Sequence, residues 1–377
     1  MPAITGKEDS KTRAIPDRQS EFGNGTPAIT GGKQMRWDVG IDLGTDGVRL
    51  AEIKAGPTLG EASAVAFREG QRQPFAAGDA ARALEGRACA GVEVARPLLD
   101  GTLRNPYHAQ CLLNWAFASS GEISGKRRFS ALVTCSPTSR PVQSEALMNA
   151  ATEAGATDAA LVRTDAATAV GAGLNVLAPQ ASLLLDLGAG KITATLFTMG
   201  RVAECDALPY GMDRIDERIQ RGVRTQLGFA ISRAAAQELK HAMGAASAQS
   251  SPMTASMNTA GLDMAQRLPR VFIVTPEPVV TACVDVVREI VGMAAGVVDR
   301  APAELAADLN DAGVVLAGGG ALLSGLDKVI GDALGIPCRV AEAPQSCGVR
   351  GLCRMMEDPK AYRAFFRDSA TAGNTWR

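Results

Sequence analysis

The sequence predicts an α/β protein with room for two core-bearing lobes. Strand-like and helix-like segments alternate along the chain, which is typical of α/β architecture. A strand ending in Asp-Leu-Gly occurs twice, with Asp42 and Asp186 144 positions apart, and a third apolar strand runs into glycines 318–320. The 377 residues are enough for two cores of ordinary size.

Composition and charge exclude several classes of protein. Hydrophobic residues make up 46% of the chain and charged residues 21%, which is too apolar for a disordered protein. Lys plus Arg number 39 against 40 Asp plus Glu, so the chain has no overall excess of positive charge with which to bind nucleic acid or an acidic membrane surface. The two histidines, His108 and His241, are far apart, which makes histidine triads and multi-histidine metal sites poor hypotheses.

The cysteines and the apolar runs indicate the compartment. None of the eight cysteines forms a C-x-x-C motif and most lie in apolar runs, which favours reduced core thiols over disulfides or a zinc site. No stretch approaches the roughly 20 apolar residues of a membrane span, and the N-terminus lacks the apolar core of a signal peptide. We therefore expect a cytoplasmic protein with no direct membrane span and no nucleic-acid partner.

Periodicity and turn residues place the elements in order. Residues 1–34 and 369–377 are predicted to be disordered tails, and residues 245–265, rich in Ser, Met and Ala, a loop. Strands are predicted at 37–42, 48–53, 131–135, 160–162, 182–186, 193–197 and 313–317. Helices are predicted at 141–154, 166–173, 213–226, 232–243 and 321–334.

The two repeated segments are strand–turn–strand hairpins whose chemistry suits a nucleoside triphosphate. They read Val-Gly-Ile-Asp-Leu-Gly-Thr at 39–45 and Leu-Leu-Asp-Leu-Gly-Ala-Gly at 184–190. Glycines allow backbone N–H groups to approach phosphate oxygens. Asp42 and Asp186 at the strand ends can hold a hydrated Mg²⁺, which prefers a few carboxylates plus water. One such hairpin is more often an ordinary tight turn, but two copies on matching strands are a stronger signal.

The third segment, residues 314–326, is an apolar strand followed by Gly318, Gly319 and Gly320 and then by a helix. Bare backbone at the start of a helix can carry a ligand. Alternatively, the glycines only permit a sharp strand-to-helix turn. The sequence has neither a Walker lysine pattern nor a spaced G-x-G-x-x-G, which disfavours P-loop and Rossmann folds.

Together these motifs resemble the superfamily of actin, DnaK-type chaperones and sugar kinases, and their order and spacing are similar to the bacterial actin family of MreB. Further matches include Ala-Gly-Asp-Ala-Ala at 77–81 and Glu-Ala-Gly-Ala at 153–156. The resemblance implies an actin-like two-lobed fold, each lobe on a mixed sheet flanked by helices, with ATP and Mg²⁺ in the interlobe cleft. The implied domains are domain I at 35–178, domain II at 179–340 and a C-terminal return to domain I at 341–368.

The resemblance also implies which residues bind the nucleotide. Asp42 and Asp186 are implied to hold Mg²⁺ through water. Gln237 and Lys240 stand where the family usually carries Glu-x-x-Lys beside adenine and ribose, and Gln can still hydrogen-bond a hydroxyl. The implied nucleotide-binding residues are Asp42, Gly44, Thr45, Asp46, Gly47, Asp186, Gly188, Ala189, Gly190, Lys191, Gln237, Lys240, Gly318, Gly319, Gly320, Ala321 and Leu322.

Departures from the family pattern bear on hydrolysis. Thr164 stands where the family usually has a Glu that positions the attacking water, and losing a general base costs about 10²–10⁴-fold in rate. Asp165 replaces that Glu only if the backbone shifts by one residue, because neighbouring helix positions face about 100° apart. Lys191, in place of a hydroxyl residue, either points to solvent or neutralises a phosphate, and Asp46 repels phosphates unless it faces the metal or solvent. We expect ATP binding with weak ATPase activity at most.

The resemblance implies a filament-forming protein in which ATP closes the lobes and favours head-to-tail contacts between copies. The expected role is cell shape or organelle positioning, in filaments that associate with a membrane or organelle through adaptor proteins. A finer resemblance to the magnetosome actins of the MamK group rests on Asp-Glu-Arg-Ile-Gln at 216–220 and on residues 186–190. Two alternatives stay open: a non-polymerising adaptor of the PilM or FtsA type, and a sugar or acid kinase, for which we identify no specific carboxylate base.

Overall fold

The structure is a computed structural model that describes residues 36–87, 90–121, 123–126, 128–250 and 256–367. The predicted tails at 1–34 and 369–377 lie outside the described residues. The strands are β1 (Val39–Leu43), β2 (Gly47–Glu52), β3 (Gly56–Ala62), β4 (Val65–Arg68), β5 (Ala76–Ala77), β6 (Val92–Ala95), β7 (Leu98–Leu99), β8 (Thr102–Leu103), β9 (Ser130–Cys135), β10 (Asp158–Arg163), β11 (Ser182–Leu187), β12 (Ile192–Thr198), β13 (Arg201–Leu208), β14 (Phe229–Ala230), β15 (Met257–Asp263), β16 (Pro269–Val274), β17 (Val314–Ala317), β18 (Cys338–Val340) and β19 (Phe366–Arg367). The α-helices are α1 (Asp79–Arg82), α2 (Pro106–Ser119), α3 (Pro141–Glu153), α4 (Thr164–Gly171), α5 (Asp213–Leu227), α6 (Arg233–Met243), α7 (Pro276–Arg300), α8 (Ala303–Ala312), α9 (Leu326–Leu334) and α10 (Cys347–Glu357), and short 3₁₀ turns lie at Ala248–Ser250, Gly319–Leu322, Pro344–Ser346 and Arg363–Phe365.

The two larger sheets repeat one plan. In the first, the strand order is β19-β10-β9-β1-β2-β3, and β1 pairs antiparallel with β2 and parallel with β9. In the second, the order is β13-β12-β11-β17-β18, and β11 pairs antiparallel with β12 and parallel with β17. The repeated Asp-Leu-Gly segments are therefore equivalent hairpins in two mixed sheets, and the predicted α/β architecture is confirmed.

Each sheet has a core of its own, and a third core lies between them. The outer core of the first sheet contains buried side chains of α2 and α3, and that of the second contains side chains of α5, α6 and α7. The third core joins Leu132 of β9 and Leu184 of β11 through apolar residues of α4 and α10. These two helices thus connect the inner faces of the sheets. The domain bounds 35–178, 179–340 and 341–368 stay a prediction.

The prediction of a loop at 245–265 was wrong for its last third, where β15 forms. Its residues include Ala260 and Gly261, which have low strand propensity, so the strand depends on its pairing with β14 and β16. Stacking of Phe229 on Phe272, with ring centroids 3.9 Å apart, holds these strands together. On the outer face of β16, Val271 and Ile273 are 71% and 61% exposed, which leaves an apolar surface facing solvent.

Two predicted helices have different bounds. The helix predicted at 321–334 is a 3₁₀ turn followed by α9, because Gly325 between them has φ 73° and adopts the left-handed conformation. The helix predicted at 166–173 begins earlier, at Thr164. Asp165 lies in its first turn, where a carboxylate stabilises the free N–H groups of a helix start, and accepts from the Ala166 N–H at 2.9 Å.

Helices α4 and α10 cross in backbone contact. A Cβ placed on Gly171 would lie 1.8 Å from the carbonyl oxygen of Cys347, and one placed on Gly351 would lie 1.7 Å from that of Ala167. Any side chain at either glycine forces the helices apart. The separation of the two sheets therefore depends on these two residues.

None of the helices in the described residues combines the length and the apolar character that crossing a bilayer requires.

Replacing Gly351 with Ala tests the helix crossing. The added methyl group overlaps the Ala167 carbonyl, so we expect Gly351→Ala to lower the free energy of unfolding by about 1–3 kcal/mol. The measurement is urea unfolding followed by circular dichroism. The matched control is Gly292→Ala in α7, where nothing lies within 4 Å of the added atom and Ala favours the helix by about 0.5–1 kcal/mol. Equal effects of the two substitutions would contradict the close crossing.

Candidate functional site

The first hairpin places Asp42 at the inner end of β1. The Thr134 hydroxyl, at the end of the parallel neighbour β9, donates to the Asp42 carboxylate at 3.1 Å. Gly348 of α10 approaches from the other side, where a Cβ would lie 2.5 Å from Oδ2 of Asp42. Burial raises the pKa of Asp42, although the charge of Arg49 and the bond from Thr134 act in the opposite direction.

The second hairpin places Asp186 in the equivalent position on β11. The Thr168 hydroxyl of α4 donates to its carboxylate at 3.1 Å. Gly318 lies against it, where a Cβ would come within 2.9 Å of Oδ1. Burial raises the pKa of Asp186 to about 7, and the negative charge of Asp42 contributes in the same direction.

The two carboxylates fit a hydrated divalent cation. Both line the same cavity and keep some surface on it, while protein encloses them on the other sides. Their raised pKa values mean that two negative charges are costly here without a compensating positive charge. Among the described residues, no cluster of three or more acidic, His or Cys side chains could hold a metal alone. A pair of carboxylates suits Mg²⁺, which keeps several waters, better than an ion that needs a full protein cage.

A cavity of about 200 Å³ lies between the lobes, and both hairpins line it. The backbone of Gly188, Gly318 and Gly319 forms part of its wall, and the Gly318 N–H donates to the Pro344 carbonyl at 2.9 Å, which leaves Gly188 and Gly319 to offer N–H groups without side chains. The Thr193 hydroxyl on this wall is buried and has no hydrogen-bond partner among the described residues. Bare N–H groups and a free hydroxyl suit the oxygens of a phosphate.

The two hairpin turns touch each other across the cavity. The Thr45 hydroxyl accepts from the Gly101 N–H at 3.1 Å. A Cβ on Gly190 would lie 2.1 Å from that hydroxyl oxygen, and one on Gly101 would lie 2.7 Å from Cβ of Lys191. These contacts bring the tips of the two hairpins and the turn at Gly101 together at the edge of the cavity.

The segment from β10 to α4 carries the predicted catalytic position. Thr164 is half-buried and lines the cavity. Asp165 is fully buried, and its carboxylate accepts from Arg163 Nε at 3.0 Å and Nη2 at 2.6 Å. The hydroxyl of Thr195, on β12 of the other lobe, donates to the same carboxylate at 2.8 Å. Asp165 is thus committed to a buried interlobe network and has no lone pair directed at a free water.

The structure brings most of the predicted residues to the cavity. Those that line it are Asp42, Gly44, Thr45, Asp46, Gly47, Thr164, Asp165, Asp186, Gly188, Ala189, Gly190, Lys191, Gly318 and Gly319. Lys191 does not simply point to solvent, since it is half-buried and burial lowers the pKa of its ammonium group.

Five predicted residues lie away from this cavity: Gln237, Lys240, Gly320, Ala321 and Leu322. The Lys240 ammonium pairs with the Asp216 carboxylate at 2.6 Å, and the contact of Gln237 and Lys240 with adenine and ribose stays a prediction. Leu322 is 60% exposed and Ala321 is buried in the core. Gly320 packs against Met212, where a Cβ would lie 2.5 Å from the side chain.

The sequence motifs do not include the neighbours of the two carboxylates. Thr134, Thr168 and Gly348 belong to no recognised motif, and each reaches the cavity from another part of the fold. A faint signal existed for Thr134, which ends a predicted strand next to the first hairpin. The carboxyl ends of parallel strands meet at one sheet edge, so a polar residue there was a candidate.

With this geometry established, the chain can be compared with known proteins. Residues 36–364 match the family described as MreB/Mbl protein. The chain belongs to the MreB/Mbl family. The cell shape-determining protein Mbl of Bacillus subtilis (strain 168) is 30% identical over 322 residues, which cover 85% of this chain and 96% of that protein. The cell shape-determining protein MreB of Escherichia coli (strain K12) is 30% identical over 325 residues, with coverage of 85% and 93%.

Solved structures agree with this assignment of the MreB/Mbl-family chain. MreB5 of Spiroplasma citri bound to ADP superposes with a TM-score of 0.80 at 25% identity, covering 85% of this chain and 96% of that one. Its complex with AMPPNP gives the same TM-score, with coverage of 87% and 98%. The MamK double helical filament superposes with a TM-score of 0.70 at 19% identity, covering 85% of this chain and 98% of that one. At this identity the likeness shows the fold alone. The actin-like fold and the MreB-family resemblance are thus confirmed.

The raised pKa of Asp186 predicts how metal-free protein responds to pH. The folded state holds this proton more tightly than the unfolded state, so its contribution to stability is full below about pH 4 and is lost as pH rises through about 7. In EDTA, we expect the free energy of unfolding of wild type to fall by about 1–3 kcal/mol relative to that of Asp186→Asn as the pH rises from 5 to 8. The measurement is urea unfolding at each pH.

An exposed carboxylate provides the control for this measurement. Asp299→Asn on α7 should leave the pH dependence of wild type unchanged. Adding Mg²⁺ should flatten the wild-type curve, because the cation stabilises the ionised carboxylate. If the free energy of unfolding changes with pH in the same way for wild type and Asp186→Asn in EDTA, the raised pKa of Asp186 is contradicted.

Proposed function

We propose that this MreB/Mbl-family protein binds ATP with Mg²⁺ and polymerises into cytoskeletal filaments. The observation that supports the proposal best is the pair of equivalent hairpins whose carboxylates face one cavity between two lobes. ADP and AMPPNP are bound by the MreB5 structures that this chain resembles. A nucleotide that contacts both hairpins links the lobes and so stabilises one relative position of them.

In this proposal the two hairpin turns hold the phosphates, and Gly319 on the cavity wall also contacts the nucleotide. The Thr193 hydroxyl gains a partner, and the Lys191 ammonium neutralises phosphate charge. Asp42 and Asp186 hold Mg²⁺ through its waters, with Thr134 and Thr168 orienting their carboxylates. The cation supplies charge neutralisation at the phosphates.

Hydrolysis is expected to be slow. Thr164 has no carboxylate with which to orient a water or take its proton. Asp165 next to it is bound by Arg163 and Thr195, so a one-residue shift does not restore the missing group. Stabilisation of ground-state phosphate by Lys191 holds the nucleotide without accelerating the reaction. Slow turnover favours long-lived filaments.

Self-association is supported by the relatives and by an exposed apolar surface. MamK, which shares the fold, forms a double helical filament. Val271 and Ile273 on the outer face of β16 leave apolar area in solvent, which is typical of an interaction surface.

A role in cell shape fits the MreB and Mbl relatives at 30% identity. Magnetosome or other organelle positioning is the alternative role, and only the fold-level likeness to MamK supports it. In either role, adaptor proteins are the further partners we propose, and the filaments are cytoplasmic or membrane-associated.

A sedimentation assay tests polymerisation. We expect purified protein to pellet with ATP and Mg²⁺, to show filaments by negative stain, and to release little phosphate. Ile273→Asp places a charge on the apolar face of β16, so it should reduce pelleting while leaving nucleotide affinity unchanged. Nucleotide binding without polymer at every protein concentration would refute the filament proposal and favour a non-polymerising adaptor of the PilM or FtsA type.

Restoring a carboxylate at position 164 tests the explanation for slow hydrolysis. We expect Thr164→Glu to raise the rate of phosphate release by about 10–100-fold, part of the effect of a general base. Thr164→Gln is the matched control, with the same size and no carboxylate, and should stay at the wild-type rate. No increase in Thr164→Glu, with ATP still bound, would show that another feature limits hydrolysis.

A further inference from the structure

The first phosphate-binding turn carries a carboxylate of its own. Asp46 lies in the turn between β1 and β2, on the wall of the cavity, and 40% of its side chain is exposed. A negative charge at this position repels a polyphosphate that approaches the turn. The turn therefore needs a compensating positive charge if it is to bind a nucleotide.

Arg82 supplies that charge. Its guanidinium donates to both carboxylate oxygens of Asp46, and its Nη2 donates at 3.0 Å to the backbone carbonyl of Asp46. Arg82 is the last residue of α1, and this short helix is itself tied to the end of β3. The Asp79 carboxylate accepts from the Ala62 N–H at 3.0 Å, and the Asp79 N–H donates to the Glu61 carboxylate at 2.9 Å. Arg82 thus reaches the turn from an anchored position.

The two other cations that lower the pKa of Asp46 have partners of their own. Arg96 pairs with Glu85 at 2.7 Å, and Lys240 pairs with Asp216 at 2.6 Å. Burial alone would raise the pKa of Asp46, but the hydrogen bond and charge of Arg82, with weaker contributions from Arg96 and Lys240, lower it overall. The carboxylate of Asp46 is therefore ionised at neutral pH, and Arg82 is its direct partner.

We propose that Arg82 is a positioning residue that neutralises Asp46 and thereby allows the first turn to accept the phosphates of a nucleotide. The inference rests on the proposed nucleotide binding. Arg82 acts through Asp46 and not by touching the nucleotide. Loss of Arg82 is therefore harmful only while Asp46 carries its charge, and removing that charge removes the need for Arg82.

A double-mutant cycle tests the inference. The affinity for ADP with Mg²⁺ is measured by isothermal titration calorimetry for wild type, Arg82→Ala, Asp46→Asn and the double variant. We expect Arg82→Ala to weaken binding by roughly tenfold, since one uncompensated charge lies close to the phosphates. Asp46→Asn should bind more tightly than wild type, because Arg82 then adds an uncompensated positive charge at the turn. The double variant should bind more tightly than Arg82→Ala, and Arg82→Lys should retain most of the affinity.

Two controls distinguish an effect of charge on nucleotide affinity from an effect of the substitution on folding. Arg288→Ala removes a comparable Arg–Asp pair, that of Arg288 with Asp285 on α7 away from the cavity, and should not change the affinity. Thermal melting without nucleotide shows whether each variant is folded. A double variant as weak as Arg82→Ala would overturn the inference, because Arg82 would then touch the phosphate or hold the backbone of the turn. If wild type binds no nucleotide, the proposed function itself is refuted. If wild type binds nucleotide but the variants do not show the expected differences in affinity, only the role of Arg82 is refuted.

Discussion

The contact between the α4 and α10 backbones determines the geometry of the site. Gly171 and Gly351 allow the helices to touch, and the same two helices carry partners of both carboxylates. Thr168 on α4 donates to Asp186, whereas Gly348 on α10 lies against Asp42. A change in the crossing therefore moves the surroundings of both carboxylates together. Because interfaces of packed helices have few stable arrangements, the crossing also limits how the lobes can rotate.

The fold was predictable where local sequence determines structure. The two hairpins and the strand before Gly318 combine apolar runs with glycine turns, and all three were predicted close to their observed bounds. Strands such as β15 were missed because their stability comes from pairing with segments distant in sequence. The residues of the site were likewise predictable only where a local motif marks them. Its glycines and carboxylates were found by their motifs, but Thr134 lies 92 positions from Asp42, and only the folded sheet brings them together.

The residues around Thr164 show how the chain departs from its family without losing the fold. Asp165 would be a costly buried charge on its own, but Arg163 and Thr195 satisfy it. These partners connect the end of β10 with β12 of the other lobe. Thr164, the predicted catalytic position, therefore adjoins a structural ion pair. Removing either charge alone leaves the other buried and unpaired, so the two residues depend on each other.

The proton on Asp186 links this site to the acidity of its surroundings. A carboxyl with a pKa of about 7 is only partly ionised near neutral pH. If Asp42 and Asp186 hold a cation as we propose, its binding displaces that proton, so the proton and the cation compete for the same carboxylate.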